Sequence, residues 1–216
     1  MHHRSSLHHL FHSTELDLIN PTIAPSREQA IADHDSNEDE IKIYCDGSGI
    51  NQNIGAAAVL YRKGRPQPRV LRYHLGSADE RTVYESEAVG LTLAAQLIST
   101  EGDITFQVSI YVDNQAAIKS SDIFSTNPGH YLIDHFRRLI TQLKKTNQDR
   151  NFMVNVRWIS GHDGVEGNEE ADREAKKAAE DRGNNSPRKH LPPYLRKGTL
   201  PSSVSALKQA QRQESS

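Results

Sequence analysis

The stretch IKIYCDGSG, residues 41–49, decides how the rest of the chain reads. Ile41, Ile43 and Cys45 alternate with Lys42, Tyr44 and Asp46, which is the period of a half-buried strand. Gly47-Ser48-Gly49 then predicts a turn, so Asp46 falls at a strand end. Upstream the texture is different. Residues 1–40 show little periodicity and end in the acidic run ADHDSNEDE, which predicts a disordered leader over 1–39.

Downstream, GAAAVLYRKG and RVLRYHLG follow, separated by Gly64, Pro66 and Pro68, so the first three strands read as an antiparallel meander. TVYESEAVGLTLAAQLIS predicts a helix from Thr82 to Ser99, with acids near its start where the helix dipole favours them. QVSIYVD is a fourth strand ending at Asp113, and NQAAIKSS is a short helix. PGHYLIDHFRRLITQLKKTNQ carries Leu132, Phe136, Leu139 and Leu143 at helical spacing. MVNVRWIS is a fifth strand, followed by the loop SGHDGVEG and the helix NEEADREAKKAAEDR, closed near Gly183. The order βββαβααβα predicts an α/β fold, a mixed five-stranded sheet flanked by helices, over residues 40–182. Prolines 187, 192, 193 and 201 predict a disordered tail over 183–216.

Charge is distributed in the same three parts. The formal balance is −6 over residues 1–40, −2 over 41–181 and +6 over 182–216. The basic tail reads either as solvated chain or as an electrostatic contact to nucleic acid. Only 35% of the chain is hydrophobic and no apolar run approaches ~18 residues, so no membrane-spanning helix is expected. The N-terminus lacks the apolar core of a secretory signal. Cys45 is the single cysteine, which excludes an internal disulfide and a multi-cysteine zinc site and fits a reducing, intracellular compartment.

Several carboxylates stand in contexts that argue against plain solvation. Asp46 and Asp113 end strands, where ligands sit in sheets of this kind; capping of a turn or helix is the competing explanation. Glu87 projects to Leu91, Ala94 or Ala95, and Ile98, so a carboxylate lies on the apolar stripe of a core helix. That placement is costly without a partner or a metal. Glu85 projects to Val89, Thr92 and Gln96, and dipole stabilisation accounts for it. Asp172 lies on a helix whose Ala171, Ala175, Ala178 and Ala179 permit close approach to a sheet, and His162 sits in a glycine-flanked loop suited to proton transfer. Carboxylates without His or Cys ligand pairs favour hard cations, Mg²⁺ or Mn²⁺. Two such ions about 3.5–4 Å apart suit phosphoryl transfer. Other features read more plainly: Trp158 as a core aromatic, Arg137, Arg138, Lys144 and Lys145 as a solvated helix face, and the N-terminal histidines as incidental.

Four segments in order, IYCDGSG, YESEAVGLTLA, IYVDNQAA and WISGHDGVEGNEEADREAKKAA, resemble the type 1 ribonuclease H domain over roughly residues 40–181. The wording of the second and fourth is similar to domains at the C-terminal end of fungal non-LTR retrotransposon polyproteins. The resemblance implies metal-binding acids at Asp46, Glu87, Asp113 and Asp172, two Mg²⁺ ions per site, and a loop histidine at His162 that aids proton traffic or product release. It implies substrate contacts at Gly47, Ser48, Thr82, Gln115 and Asn168. It implies hydrolysis of the RNA strand of an RNA–DNA hybrid to 5′-phosphate and 3′-hydroxyl ends, with a reverse transcriptase as partner in the parent element. Between Lys119 and Pro128 the chain is too short for the extra basic helix that some members use to grip the hybrid. The alternatives are a catalytically weak nucleic-acid-binding or polymerase-partner domain of the same fold, and a related integrase or resolvase, against which the GHDG and NEEAD segments argue.

Overall fold

The computed structural model describes residues 18–104, 108–122, 130–147, 152–198 and 200. Strand β1 (Ile19–Thr22) and helix α1 (Arg27–Asp35) precede the meander β2 (Ile41–Ile50), β3 (Asn53–Arg62) and β4 (Arg69–Ser77). Helix α2 (Val83–Ser99), β5 (Val108–Val112), α3 (Gln115–Asp122), α4 (His130–Thr146), β6 (Val154–Trp158) and α5 (Glu166–Glu180) follow. Short 3₁₀ segments then cover Arg182–Asn184, Arg188–His190 and Pro193–Lys197. The strands form one mixed sheet in the order β1-β6-β5-β2-β3-β4. The meander is antiparallel, and β2, β5, β6 and β1 run parallel. Among the described residues no helix is long and apolar enough to cross a membrane.

The helix-flanked mixed sheet matches the expectation, with three differences. The sheet has six strands rather than five. The sixth, β1, lies inside the stretch read as a disordered leader and pairs with β6 in the register Ile19↔Val154. It is four residues of INPT, too short and too polar to show alternation, and its Pro21 suits a sheet edge. Helix α1 was equally silent because only Ala30 on it is buried. Leu18, Ile19 and Ile23 pack against the core, and polar groups add to the docking: His34 Nε2 lies 2.7 Å from the Tyr44 hydroxyl, and the Asn37 amide donates to Tyr111 Oη at 2.8 Å.

The second difference is the turn expected at Gly47–Gly49. Strand β2 runs on to Ile50, paired throughout with β3, and the turn is Asn51-Gln52, with φ of 47° and 60°. Positive φ at both central residues is the twist a two-residue hairpin favours. The glycine at 47 serves packing: a Cβ there would overlap Ser86 Oγ and come within 2.8 Å of the Glu87 amide nitrogen. On the opposite face, a Cβ on Gly55 would come within 2.6 Å of the Ala175 carbonyl oxygen. Helix α2 thus crosses one face of the sheet at Gly47 and α5 crosses the other at Gly55. Leu91, Leu93, Leu97 and Ile98 of α2 are buried on their side, and Ala171, Ala175 and Ala178 of α5 on theirs.

The third difference is the C-terminal segment. Residues 182–198 are folded against β4 and the core, and Leu191, Leu195 and Leu200 are buried in it. The prolines that broke the helical pattern space these leucines along an irregular path. Residues 201–216, and with them the last part of the expected tail, lie outside the described residues.

The two close approaches give a stability test. Gly55→Ala should cost about 1–3 kcal/mol because backbone, not a flexible side chain, must move. Gly102→Ala meets nothing within 4 Å and should change stability by no more than about 0.5 kcal/mol. Denaturant unfolding midpoints measure both, and equal midpoints would contradict the packing described.

Candidate metal centre

The parallel ladder between β2 and β5 ends at Cys45 opposite Val112, so Asp46 and Asp113 are the next residues on adjacent strands. Neighbouring strands lie about 4.8 Å apart, which brings the two aspartates together on one face. Glu87 arrives from α2, whose first turn rests on the bare backbone of Gly47. Single carboxylate oxygens of Asp46, Glu87 and Asp113 all lie within 4.8 Å of one another.

Asp46 and Glu87 are buried and Asp113 is half-buried. Glu87 is 3% exposed, and its Oε2 has no hydrogen-bond partner. Burial, followed by the neighbouring Asp46 and Asp113 charges, holds the Glu87 carboxyl well above its usual range, although Asn114 and the Gly47 amide donate to it. Burial and then Asp113 push Asp46 up to about 7, against the hydrogen bond from Gly47 N to Asp46 Oδ1 at 2.8 Å. Asp113 is raised chiefly by burial, and the nearby His162 works the other way. The Trp158 indole N–H, read from sequence as plain core, donates to the Asp113 carbonyl at 3.0 Å and fixes the backbone there.

Asp172 stands apart from this triplet. It is close enough to raise both Asp46 and Asp113, but its Oδ2 accepts from Lys176 Nζ at 2.6 Å, one helical turn along α5. His162, at φ 61°, lies in the loop before α5. The residues expected to touch substrate divide. Thr82 is the N-cap of α2: its hydroxyl accepts from Glu85 N at 3.2 Å, and Glu85 Oε2 accepts from Thr82 N at 2.8 Å. Gly47 is spent on the approach of α2. Ser48 is buried, Gln115 is half-buried at the start of α3, and Asn168 is buried in the first turn of α5 with Oδ1 unpartnered. Capping and close packing therefore account for Thr82 and Gly47 without a ligand. Asn114 and Lys176 were missed, though Lys176 stands four residues after Asp172, the spacing at which opposite charges meet on a helix.

A family model for RNase H matches residues 38–180. The chain belongs to the RNase H family. Solved structures with this fold include the N-terminal RNase H domain of Rv2228c from Mycobacterium tuberculosis, at 17% identity and a TM-score of 0.52, covering 65% of this chain and 93% of that one. LC11-RNase H1, isolated from compost by a metagenomic approach, is 19% identical with a TM-score of 0.50, covering 66% and 96%. No curated protein matches the chain. The triplet and Asp172 all fall inside the span of the RNase H match, whereas β1, α1 and the C-terminal 3₁₀ segments lie outside it.

The raised carboxyls set a pH test. For Asp46 the native group is protonated up to about 7, whereas the unfolded group loses its proton near the ordinary 3.8. The native state binds more protons between those values, so stability is greatest below them and falls as pH rises. With EDTA present, Tm should be higher at pH 5.5 than at pH 8, and Asp46→Asn should reduce the difference. Adding Mg²⁺ at pH 8 should raise the wild-type Tm by several degrees. A wild-type Tm independent of both pH and Mg²⁺ would contradict the cluster described.

Proposed function

We propose that this RNase H domain hydrolyses the RNA strand of RNA–DNA hybrids with the help of divalent cations held by Asp46, Glu87, Asp113 and Asp172. The observation that carries the reading is the buried Glu87 Oε2, unpartnered and packed against two further carboxylates. An acid cluster with raised proton affinity and an unused oxygen fits a hard cation, which replaces the proton and cancels the repulsion. The donor set is all oxygen, matching Mg²⁺, with Mn²⁺ as the alternative.

Asp46, Glu87 and Asp113 would hold the first ion, and Asp172 would join a second once released from Lys176. Bound in this way, the cations would supply Lewis-acid stabilisation of the phosphoryl group and a water of lowered pKa. The chain itself does the positioning. The β2–β5 register sets the spacing of the two aspartates, α2 delivers Glu87, and Trp158 and Asn114 restrain the residues around Asp113. His162 carries protons at the mouth of the site, where it can serve the leaving 3′-oxygen. Ser48, Gln115 and Asn168 are the contacts through which the 2′-hydroxyls of the RNA strand would be read, the feature that distinguishes RNA from DNA. Hydrolysis would leave 5′-phosphate and 3′-hydroxyl ends. The wording of the YESEAVGLTLA and WISGHDGVEGNEEAD segments supports an origin in a retrotransposon, where a reverse transcriptase would be the natural partner, and the lone buried Cys45 supports an intracellular setting.

The test is Mg²⁺-dependent cleavage of labelled RNA–DNA hybrid, with single-stranded RNA and duplex DNA as controls. Losing several kcal/mol of charge stabilisation corresponds to a fall of more than about 100-fold, expected for Asp46→Asn and for Glu87→Gln. Glu85→Gln keeps a capping side chain and should cost less than about 10-fold. Wild-type activity in Asp46→Asn, or a greater loss in Glu85→Gln than in Glu87→Gln, would overturn the assignment.

A further inference from the structure

Residues 182–198 and Leu200 follow the matched RNase H span and pack against it. Ser186 N donates to the Arg72 carbonyl at 3.0 Å, and Ser186 Oγ accepts from Arg72 N at 2.9 Å. Asn185 Oδ1 accepts from His74 N at 2.6 Å. These bonds close the outer edge of β4, which would otherwise be an open template for strand pairing. The Tyr73 hydroxyl then donates to the Gly198 carbonyl at 3.1 Å. Leu191 and Leu195 enter the core, and the Tyr194 ring stacks on His135 of α4 at 3.8 Å. Arg196 Nε donates to the Leu191 carbonyl at 2.6 Å and the Arg188 guanidinium to the Arg196 carbonyl, so basic side chains of this segment fasten it internally.

The segment ends on Arg81, the residue before the N-cap of α2. The Arg81 side chain is 2% exposed, and its guanidinium donates to the Leu200 carbonyl, lies 3.8 Å from Glu85 Oε1 and bonds the Tyr131 side chain. A guanidinium so buried depends on those partners being held in place. Glu85 in turn closes the capping box with Thr82. Two residues further on, Glu87 presents its carboxyl to Asp46 and Asp113 while its backbone rests on Gly47.

We propose that residues 182–198, with Leu200, are a strap that positions Glu87, with Arg81 as the positioning residue that passes the docking of the strap to the first turn of α2. The inference rests on the reading of Glu87 as a cation ligand, but its structural half can be measured without any metal. The folding unit accordingly extends from β1 to Leu200, beyond both ends of the matched span.

The experiment is amide hydrogen exchange on the full chain, wild type against Leu195→Asp, Leu195→Ala and Arg81→Ala, together with calorimetric titration of Mg²⁺ alone. In Leu195→Asp, amides 84–90 should exchange at least about 10-fold faster while those of β5 keep their protection, and Mg²⁺ affinity should fall several-fold. Arg81→Ala should reproduce the effect on α2 and on Mg²⁺, and Arg81→Lys should recover part of it. If Leu195→Asp does not fold, the strap is thereby part of the fold and Leu195→Ala carries the comparison at α2. Freely exchanging strap amides beside unchanged protection of α2 and unchanged Mg²⁺ affinity would overturn the proposal. Altered exchange in a protein whose wild type binds no Mg²⁺ would instead remove the cation reading and leave the strap's hold on α2 standing.

Discussion

Single oxygens of three carboxylates, two of them buried and the third half-buried, are held within 4.8 Å of one another. If all were ionised, each pair at that distance would cost roughly 3 kcal/mol at an effective dielectric of about 20. The fold holds them there by construction. The parallel register forces Asp46 and Asp113 together, and the missing side chain at Gly47 lets α2 descend until Glu87 completes the group. Burial and mutual repulsion push Asp46 up to about 7 and hold Glu87 well above its ordinary range. On the proposed function a cation would relieve the repulsion, and the geometry that costs stability would then supply affinity.

Much of this is legible in the sequence. Alternation in IKIYCD and VSIYV marks two central strands. Helical phase puts Glu87 on an apolar stripe and Glu85 on a mixed one, but the structure buries every residue from Glu85 to Ile98. Their partners tell the two acids apart: Glu85 closes the capping box, and Glu87 meets Asp46 and Asp113. What could not be read was structure held together by polar contacts or by irregular backbone. Strand β1 has no alternation, α1 buries a single alanine, and the strap threads its leucines between prolines. The misread turn at Gly47–Gly49 has a different cause. A glycine that permits close approach of a helix looks the same in sequence as one that bends the chain, and only the partner element tells them apart.

Lys176 illustrates how charge rather than shape completes the site. It pairs with Asp172 at 2.6 Å, and that acid stands outside the triplet. The basic residues of the C-terminal segment show the converse, since Arg188 and Arg196 are committed to carbonyls of their own strap. Both guanidiniums keep their charge, so part of the formal +6 over residues 182–216 is held at fixed positions on the folded segment.

Proton release on Mg²⁺ binding tests the central claim most directly. Calorimetric titration at pH 6.5, in buffers of different ionisation enthalpy, counts the protons displaced as the cation binds. The cluster described here predicts net release in the wild type, and a smaller release with weaker binding in Asp46→Asn. Binding without proton release, or identical release by wild type and Asp46→Asn, would contradict a cation site built on Asp46, Glu87 and Asp113.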